Sequence, residues 1–167
     1  MSSTYPGVMT EPATRPAPPA DSSGHADELV QLPDGSRVTG RRLLPGSWLP
    51  LPSGRSRLIA TQCAQCDELT FPTANVCPRC WGTVTLRVES VAGEGTVYAL
   101  TTVRVAEPGI EAPYRIGYAD FAGGLRICGR FTGPDVAVGD RVETVTTVLR
   151  TRPQGPLLGW AFRKKAV

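Results

Sequence analysis

Residues 63–80 read CAQCDELTFPTANVCPRC, in which Cys63 and Cys66 form one CxxC pair and Cys77 and Cys80 form a second. Two residues between the cysteines of a pair let one tight turn aim both sulfur atoms at the same ion. The ten residues between the pairs are enough for a short hairpin that brings the two turns together. Four thiolates then complete a tetrahedral site with metal–sulfur distances of about 2.3 Å. The spacing predicts a bound metal ion that is fully coordinated by protein and serves folding rather than catalysis.

Two metals fit this cysteine set. Zinc and a single iron are both held by four cysteines, and ligand type alone does not distinguish them. We favour one structural Zn²⁺ per chain because nothing else near the cysteines suggests electron transfer, and iron is the less favoured alternative. A redox-active dithiol is a further interpretation of CxxC, but such dithiols occur singly at the start of a helix rather than as facing pairs.

Downstream of the cysteines, from Gly93 onward, short runs of alternating apolar and polar residues lie between turns that contain Gly or Pro. Alternation of this kind predicts half-buried β-strands. Five strands joined by short turns match a small OB-type barrel. The predicted fold is mainly β, with a rubredoxin-like zinc ribbon over residues 59–92 followed by a five-stranded OB-fold barrel over residues 93–167. The five strands are predicted at residues 95–105, 114–121, 125–132, 141–150 and 156–162.

Upstream of the cysteines, the composition changes twice. Residues 1–28 are rich in Pro, Ser, Ala and Thr and poor in bulky apolar residues, which predicts a disordered tail. Residues 29–58 predict an irregular N-terminal segment with a candidate hairpin around Asp34-Gly35. Prolines on both sides of Trp48 exclude a helix of any length there, and we expect this tryptophan to be a packing anchor.

Charge and composition exclude several classes of protein. The formal net charge is +3, and because the tail carries −3, residues 29–167 carry +6, or about +4 once four thiolates and one Zn²⁺ are counted. This modest charge suits an anionic, nucleotide-bearing cofactor better than a nucleic acid. The only histidine, His25, lies in the tail, so the folded region has no Ser–His–Asp or Cys–His arrangement. Without a long apolar run or a signal segment, we expect a cytoplasmic protein with no membrane partner.

Several short motifs follow one another along residues 47–163. They are the two CxxC pairs, Phe71-Pro72, Gly93-Glu94-Gly95-Thr96-Val97-Tyr98, Pro113-Tyr114, Gly124-Leu125, Gly129 and Val138-Gly139-Asp140-Arg141-Val142. In their order and spacing, these motifs resemble the family of acyl-CoA-associated proteins that have an N-terminal zinc ribbon and a C-terminal OB fold.

The resemblance implies a non-catalytic subunit. Such proteins associate with thiolase-like or lipid-transfer-protein-like enzymes, including aldolase-like ones, and some help to bind the CoA part of an acyl-CoA substrate. The chain departs from the family pattern at two positions, because Asp67 and Trp81 follow the cysteine pairs directly where a residue of positive φ is often needed. The family also commonly begins with a pair of helices, which the Pro- and Gly-interrupted residues 29–56 do not predict.

Four residues are candidates for contact with CoA, whose phosphates and adenine call for arginines beside an exposed strand. They are Tyr114, Arg115, Arg126 and Arg130, which we expect to face the cleft between ribbon and barrel. The alternative is that these arginines are solvated surface residues. Cys128 lies between two of them, either as a small residue of the barrel wall or as a thiol activated by their charge.

Two other functions remain open. OB barrels and zinc ribbons also occur in modules that bind single-stranded nucleic acid. Four aromatic residues offer stacking surfaces for it: Tyr98, Tyr114, Tyr118 and Phe121. A free-standing enzyme would need acid–base groups, for which Asp120, Asp140 and Glu143 are the available carboxylates. No spacing singles these carboxylates out from ordinary surface residues.

Overall fold

The computed structural model describes residues 27–83, 86–91 and 93–166 and, for residues 86–90, the backbone path alone. All but the last two residues of the predicted tail, residues 1–28, lie outside the described residues. None of the described residues forms a helix with the length and hydrophobicity needed to cross a membrane. The strands are β1 (Glu28–Gln31), β2 (Arg37–Arg42), β3 (Trp48–Pro50), β4 (Ser56–Cys63), β5 (Leu69–Thr70), β6 (Leu86–Val91), β7 (Glu94–Val103), β8 (Tyr114–Phe121), β9 (Arg126–Thr132), β10 (Arg141–Arg152) and β11 (Gly155–Lys164).

Strands β7 to β11 close into a five-stranded barrel. Antiparallel pairs join β7 to β8, β8 to β9, β10 to β11 and β10 to β7, and a parallel pair between β9 and β11 completes the ring. Around the ring the strands follow the order β7, β8, β9, β11, β10 and back to β7. This closed barrel confirms the predicted OB fold, and its strands lie close to the predicted ranges.

A hairpin extends the barrel at one side. β1 and β2 pair antiparallel around the turn at Asp34-Gly35, where Gly35 has φ 87° and the Asp34 carboxylate accepts a hydrogen bond from the Ser36 amide at 2.9 Å. β2 then pairs parallel with β11, so that Arg42 lies beside Leu158. The stretch 29–58 is more regular than the sequence predicts, because its prolines stand in turns or in the short strand β3, where they exclude helix but not strand.

The zinc ribbon is a second, smaller sheet built around β4. β3, β5 and β6 all pair antiparallel with β4, which ends at Cys63. The first CxxC pair therefore begins where the central strand of the ribbon ends. The second pair lies in the connection between β5 and β6.

One hydrophobic core joins ribbon and barrel. Trp48 of β3 is fully buried, which confirms it as a packing anchor, and its ring lies 6.4 Å from that of Trp160 in β11. Phe71, beyond β5, meets the same Trp160 ring edge-on at 5.2 Å. Polar contacts add to the junction, since the Thr144 hydroxyl donates to the Ser56 carbonyl at 2.5 Å.

Candidate functional site

The four cysteines are placed by two turns of matching geometry. In the first, the Asp67 amide donates to the Cys63 carbonyl at 3.0 Å, and in the second the Trp81 amide donates to the Cys77 carbonyl at 2.9 Å. The residue after each pair has left-handed backbone, with φ 57° at Asp67 and 59° at Trp81. Asp67 and Trp81, the two residues that depart from the family pattern, therefore both have the positive φ expected at their positions.

The sulfur atoms gather at one point. Each cysteine Sγ lies within 4.8 Å of the other three, and the separations are 3.7 Å for Cys63 to Cys80 and 3.6 Å for Cys66 to Cys77. A tetrahedral ion with metal–sulfur bonds of about 2.3 Å requires sulfur atoms about 3.8 Å apart. A disulfide would bring two of them to about 2.05 Å. The four cysteines therefore fit one zinc ion.

The electrostatics of the cluster also favour a cation. The amides of Cys80 and Arg79 donate toward the Cys77 thiolate and lower its pKa to about 7. The amide of Glu68 likewise lowers the pKa of Cys66, but burial and the three neighbouring cysteines outweigh it and raise that pKa to about 12. Four crowded thiolates repel one another, and a divalent cation removes that repulsion.

The metal centre has a side that packs against the rest of the protein, called the inner side, and a solvent-exposed outer side. On the inner side, the Ser47 and Thr73 hydroxyls are hydrogen-bonded at 2.9 Å and tie the ribbon loop to the segment before β3. On the outer side, Arg79 forms an exposed ion pair with Glu68 at 3.3 Å. Trp81 is 77% exposed, the most exposed aromatic side chain among the described residues.

Two of the four candidate CoA residues lie together. The Arg130 guanidinium stacks on the Tyr114 ring at 4.3 Å, across the β8–β9 pair. Both residues line a cleft of about 470 Å³ between the 109–113 loop and strands β9 and β10. Arg150 lines the same cleft and is ion-paired with Glu107 at 2.9 Å.

The other two candidates for CoA binding, Arg115 and Arg126, already form hydrogen bonds with protein oxygens. Arg115 donates to the backbone carbonyls of Pro134, at 2.9 Å, and Val136. Arg126 holds the Asp120 carboxylate with two bonds of 2.7 and 3.0 Å and lies 3.1 Å from the centre of the Tyr98 ring. This hydrogen-bonded pair lowers the pKa of Asp120. The structure therefore separates the four candidates into a cleft pair and two residues with protein partners.

The remaining chemical candidates have ordinary surroundings. Cys128 is exposed on the outer face of β9, and partial desolvation raises the pKa of its thiol although two arginines flank it in sequence, so the thiol is not activated. Asp140 is paired with Lys164 at 2.8 Å, and Glu143 lies between Arg55 and Arg163 at 3.0 and 2.7 Å. All three carboxylates considered for acid–base chemistry are thus in ion pairs.

Sequence reasoning missed two structural features at these sites. It did not single out Trp160, whose ring joins the ribbon to the barrel, because a lone tryptophan in a strand carries no local signal of its partners. It also missed the cleft lined by Arg41 and Arg152, residues that are far apart in the chain and meet only because β2 pairs with β11.

A four-cysteine ribbon packed on a closed OB barrel defines a class of zinc-ribbon, OB-fold proteins. Residues 54–86 match the rubredoxin-like zinc ribbon domain of ChsH2, and residues 88–147 match the C-terminal OB-fold domain of ChsH2. The chain belongs to this ChsH2 family, also known as DUF35.

Named relatives share most of the folded region. The benzoylsuccinyl-CoA thiolase subunit BbsA of Thauera aromatica is 34% identical over 106 residues, which cover 62% of this chain and 73% of that protein. A DUF35 domain-containing scaffold protein of Methanocaldococcus jannaschii is 28% identical over 115 residues, covering 66% and 82%. A solved structure of an Ltp2-ChsH2(DUF35) aldolase is similar with a TM-score of 0.51 and 26% identity, covering 65% of this chain and 84% of that one.

Proposed function

We propose that this chain is a non-catalytic subunit that binds a thiolase-like or aldolase-like enzyme and contributes to binding its acyl-CoA substrate. The observation that carries the proposal is the similarity of the ribbon and barrel region to a thiolase subunit and a scaffold protein in sequence, and to a chain of an aldolase structure in fold. A ribbon and a barrel joined by one hydrophobic core suit a protein that holds a partner.

The chemistry of the described residues supports an accessory role. The metal centre has four protein ligands and no open position for substrate. The carboxylates considered for acid–base work are ion-paired, and the only histidine of the sequence is His25, outside the described residues. The enzymatic step would then belong to the partner.

The contribution to acyl-CoA binding is assigned to the cleft at Tyr114 and Arg130. An aromatic ring with a stacked guanidinium offers both a surface for adenine and a charge for phosphate. Arg150 lines the same cleft but is ion-paired with Glu107, so the charge for phosphate is assigned to Arg130. Arg115 and Arg126 lie outside the lining of this cleft and their donors already bind protein oxygens, so the proposal does not assign CoA contacts to them.

The first test addresses the partner. This chain would be co-expressed with a candidate thiolase-like or aldolase-like enzyme of the same genome, and the mixture analysed by size-exclusion chromatography with light scattering. A complex of defined stoichiometry, with acyl-CoA turnover only when the enzyme is present, is expected. Turnover of acyl-CoA by this chain alone would overturn the proposal, and binding of a labelled oligonucleotide at low salt would favour the nucleic-acid alternative.

The second test addresses CoA. Calorimetric titration of the complex with CoA should show binding about tenfold weaker for Arg130→Ala, equivalent to about 1.4 kcal/mol. Arg126→Ala is the matched control, since it removes an arginine of the same strand that is bound to Asp120. Equal affinity for Arg130→Ala and the unmodified complex would remove the cleft from the CoA site.

A further inference from the structure

A rigid loop between β2 and β3 forms one wall of a second cleft. The Leu43 amide donates to the Leu158 carbonyl at 2.8 Å, and the Trp48 indole donates to the Leu43 carbonyl at 2.5 Å. Arg42 holds the other side of the loop, donating to the carbonyls of Pro45 and Trp48 at 3.3 and 2.9 Å. The loop is therefore fixed before any ligand arrives, which lowers the entropic cost of binding.

The cleft beside this loop is strongly basic. Its volume is about 390 Å³, and its described lining residues include three arginines and no carboxylate. Arg42 is neutralised by Glu28 at 2.6 Å. Arg41 and Arg152 have no ion pair or side-chain hydrogen bond within the part of the chain that the structure describes. Two guanidinium groups are thus available to an anionic ligand.

Apolar side chains stand next to these charges. Leu43 is 37% exposed and Leu44 is 43% exposed, and Leu157 lines the cleft with them. Leu44 also has φ 49°, a left-handed conformation that is costly for a residue with a Cβ. An exposed leucine in a disfavoured backbone state contributes little to folding, which points to a role in binding.

We propose that this cleft, lined by Arg41, Leu43, Leu44, Arg152 and Leu157, binds an acidic segment of the partner protein that carries an apolar side chain between its carboxylates. The two unpaired arginines bind the carboxylates, and the leucines cover the apolar side chain. The inference deepens the proposed function and rests on it for the existence of a protein partner.

A protein segment fits this cleft better than a small molecule. Sites for small ligands enclose most of the ligand surface. Here the two unpaired arginines, Arg41 and Arg152, and the two loop leucines are exposed, so the cleft offers a contact along one side only. Charge complementarity between the arginines and an acidic segment orients the segment in the cleft and raises the association rate.

The first experiment uses the full zinc-loaded chain and a short fluorescein-labelled peptide of repeated aspartate-aspartate-leucine units at low salt. Fluorescence anisotropy should show saturable binding that weakens about tenfold in the double variant Arg41→Glu, Arg152→Glu. The double variant Arg37→Glu, Arg57→Glu is the matched control: it changes the charge equally at two exposed arginines outside the cleft and should bind like the unmodified chain. A peptide with serine in place of leucine should bind several-fold more weakly.

The variant Leu44→Gly separates binding from folding. Glycine relieves the left-handed backbone and removes the apolar side chain, so the chain should fold at least as well and bind the peptide several-fold more weakly. The inference is overturned if the unmodified chain does not bind the peptide, if the two double variants bind alike, or if CoA competes for the cleft at equal concentration. Self-association that disappears in Arg41→Glu, Arg152→Glu would assign the cleft to a second copy and also overturn it.

The second experiment distinguishes this inference from the proposed function. Complex formation with the candidate enzyme of the first functional test is measured for the unmodified chain and both double variants. A complex lost only in the cleft variant supports both proposals. An undiminished complex with the cleft variant refutes the cleft and leaves the proposed function standing, whereas peptide binding at the cleft without any complex supports the cleft and refutes the proposed function.

Discussion

The residues that directly follow the two cysteine pairs have a backbone conformation that most side chains disfavour. Asp67 and Trp81 both take left-handed φ values, 57° and 59°. Aspartate tolerates this region because its short polar side chain bonds locally, but tryptophan does not. The indole of Trp81 is 77% exposed and so regains little of that cost through burial.

Replacing Trp81 with glycine should stabilise the zinc-loaded protein relative to Trp81→Ala by about 1 kcal/mol, because both variants remove the indole and only glycine relieves the left-handed backbone. Urea denaturation of the two variants measures the difference. Asp67→Gly compared with Asp67→Ala is the control and should give a smaller difference. Equal midpoints for the two Trp81 variants would contradict the argument.

Cys128 offers a second prediction at this scale. Its side chain is exposed, but partial desolvation raises the pKa of the thiol above the ordinary value, so less thiolate is present at neutral pH than for a free cysteine. Alkylation by iodoacetamide should therefore be slow at pH 7 and accelerate as the pH rises beyond 9, with one site modified while zinc protects the others. Mass spectrometry measures the rate. Fast modification at pH 7 would mean that the flanking arginines lower the pKa after all.

At the scale of elements, the ribbon depends on its ion for folding. β5 has two residues and β3 has three, so these strands bury little apolar surface. A metal ion held by the four sulfur atoms near the end of β4 links these short strands to one another. Structural zinc contributes about 10 kcal/mol or more of apparent binding free energy to the folding of such segments.

The variant Cys66→Ser should lower the zinc content from one ion per chain to nearly none and expose the ribbon to proteolysis, because a hydroxyl replaces a thiolate ligand. Elemental analysis and limited trypsin digestion provide the measurement. Cys128→Ser removes a cysteine outside the cluster and should retain both zinc and protease resistance. Full zinc occupancy in Cys66→Ser would exclude the four-cysteine site.

Elements that depend on a pattern of neighbouring residues were predictable from the sequence. The spacing of Cys63, Cys66, Cys77 and Cys80 specifies the metal centre, and the alternation along β9 places Ile127 inward while its neighbours face outward. The parallel pairing of β2 with β11 was not predictable, because residues more than a hundred positions apart are joined without a sequence signal. The same holds for the cleft at Arg41 and Arg152, which that pairing creates.

At the scale of the whole molecule, ribbon and barrel share one core. Trp160 of β11 contacts Trp48 of β3 and Phe71 beyond β5, so a single barrel residue packs against two parts of the ribbon sheet. The indole of Trp160 also donates to the Cys128 carbonyl at 3.2 Å, which fixes its orientation. Such packing couples the stability of the barrel to the state of the metal centre.

This coupling predicts the thermal behaviour of the chain. The zinc-loaded protein should unfold in one calorimetric transition, and a chelator should lower its midpoint, because loss of the ribbon exposes the face of the barrel at Trp160. Trp160→Ala should destabilise the protein by about 3–5 kcal/mol and separate the transition into a chelator-sensitive ribbon step and a chelator-insensitive barrel step. Trp81→Ala is the control, since it removes an exposed tryptophan of the ribbon and should leave one transition. If the chelator leaves the barrel transition of the unmodified protein in place, ribbon and barrel are independent folding units and the shared core does not couple them.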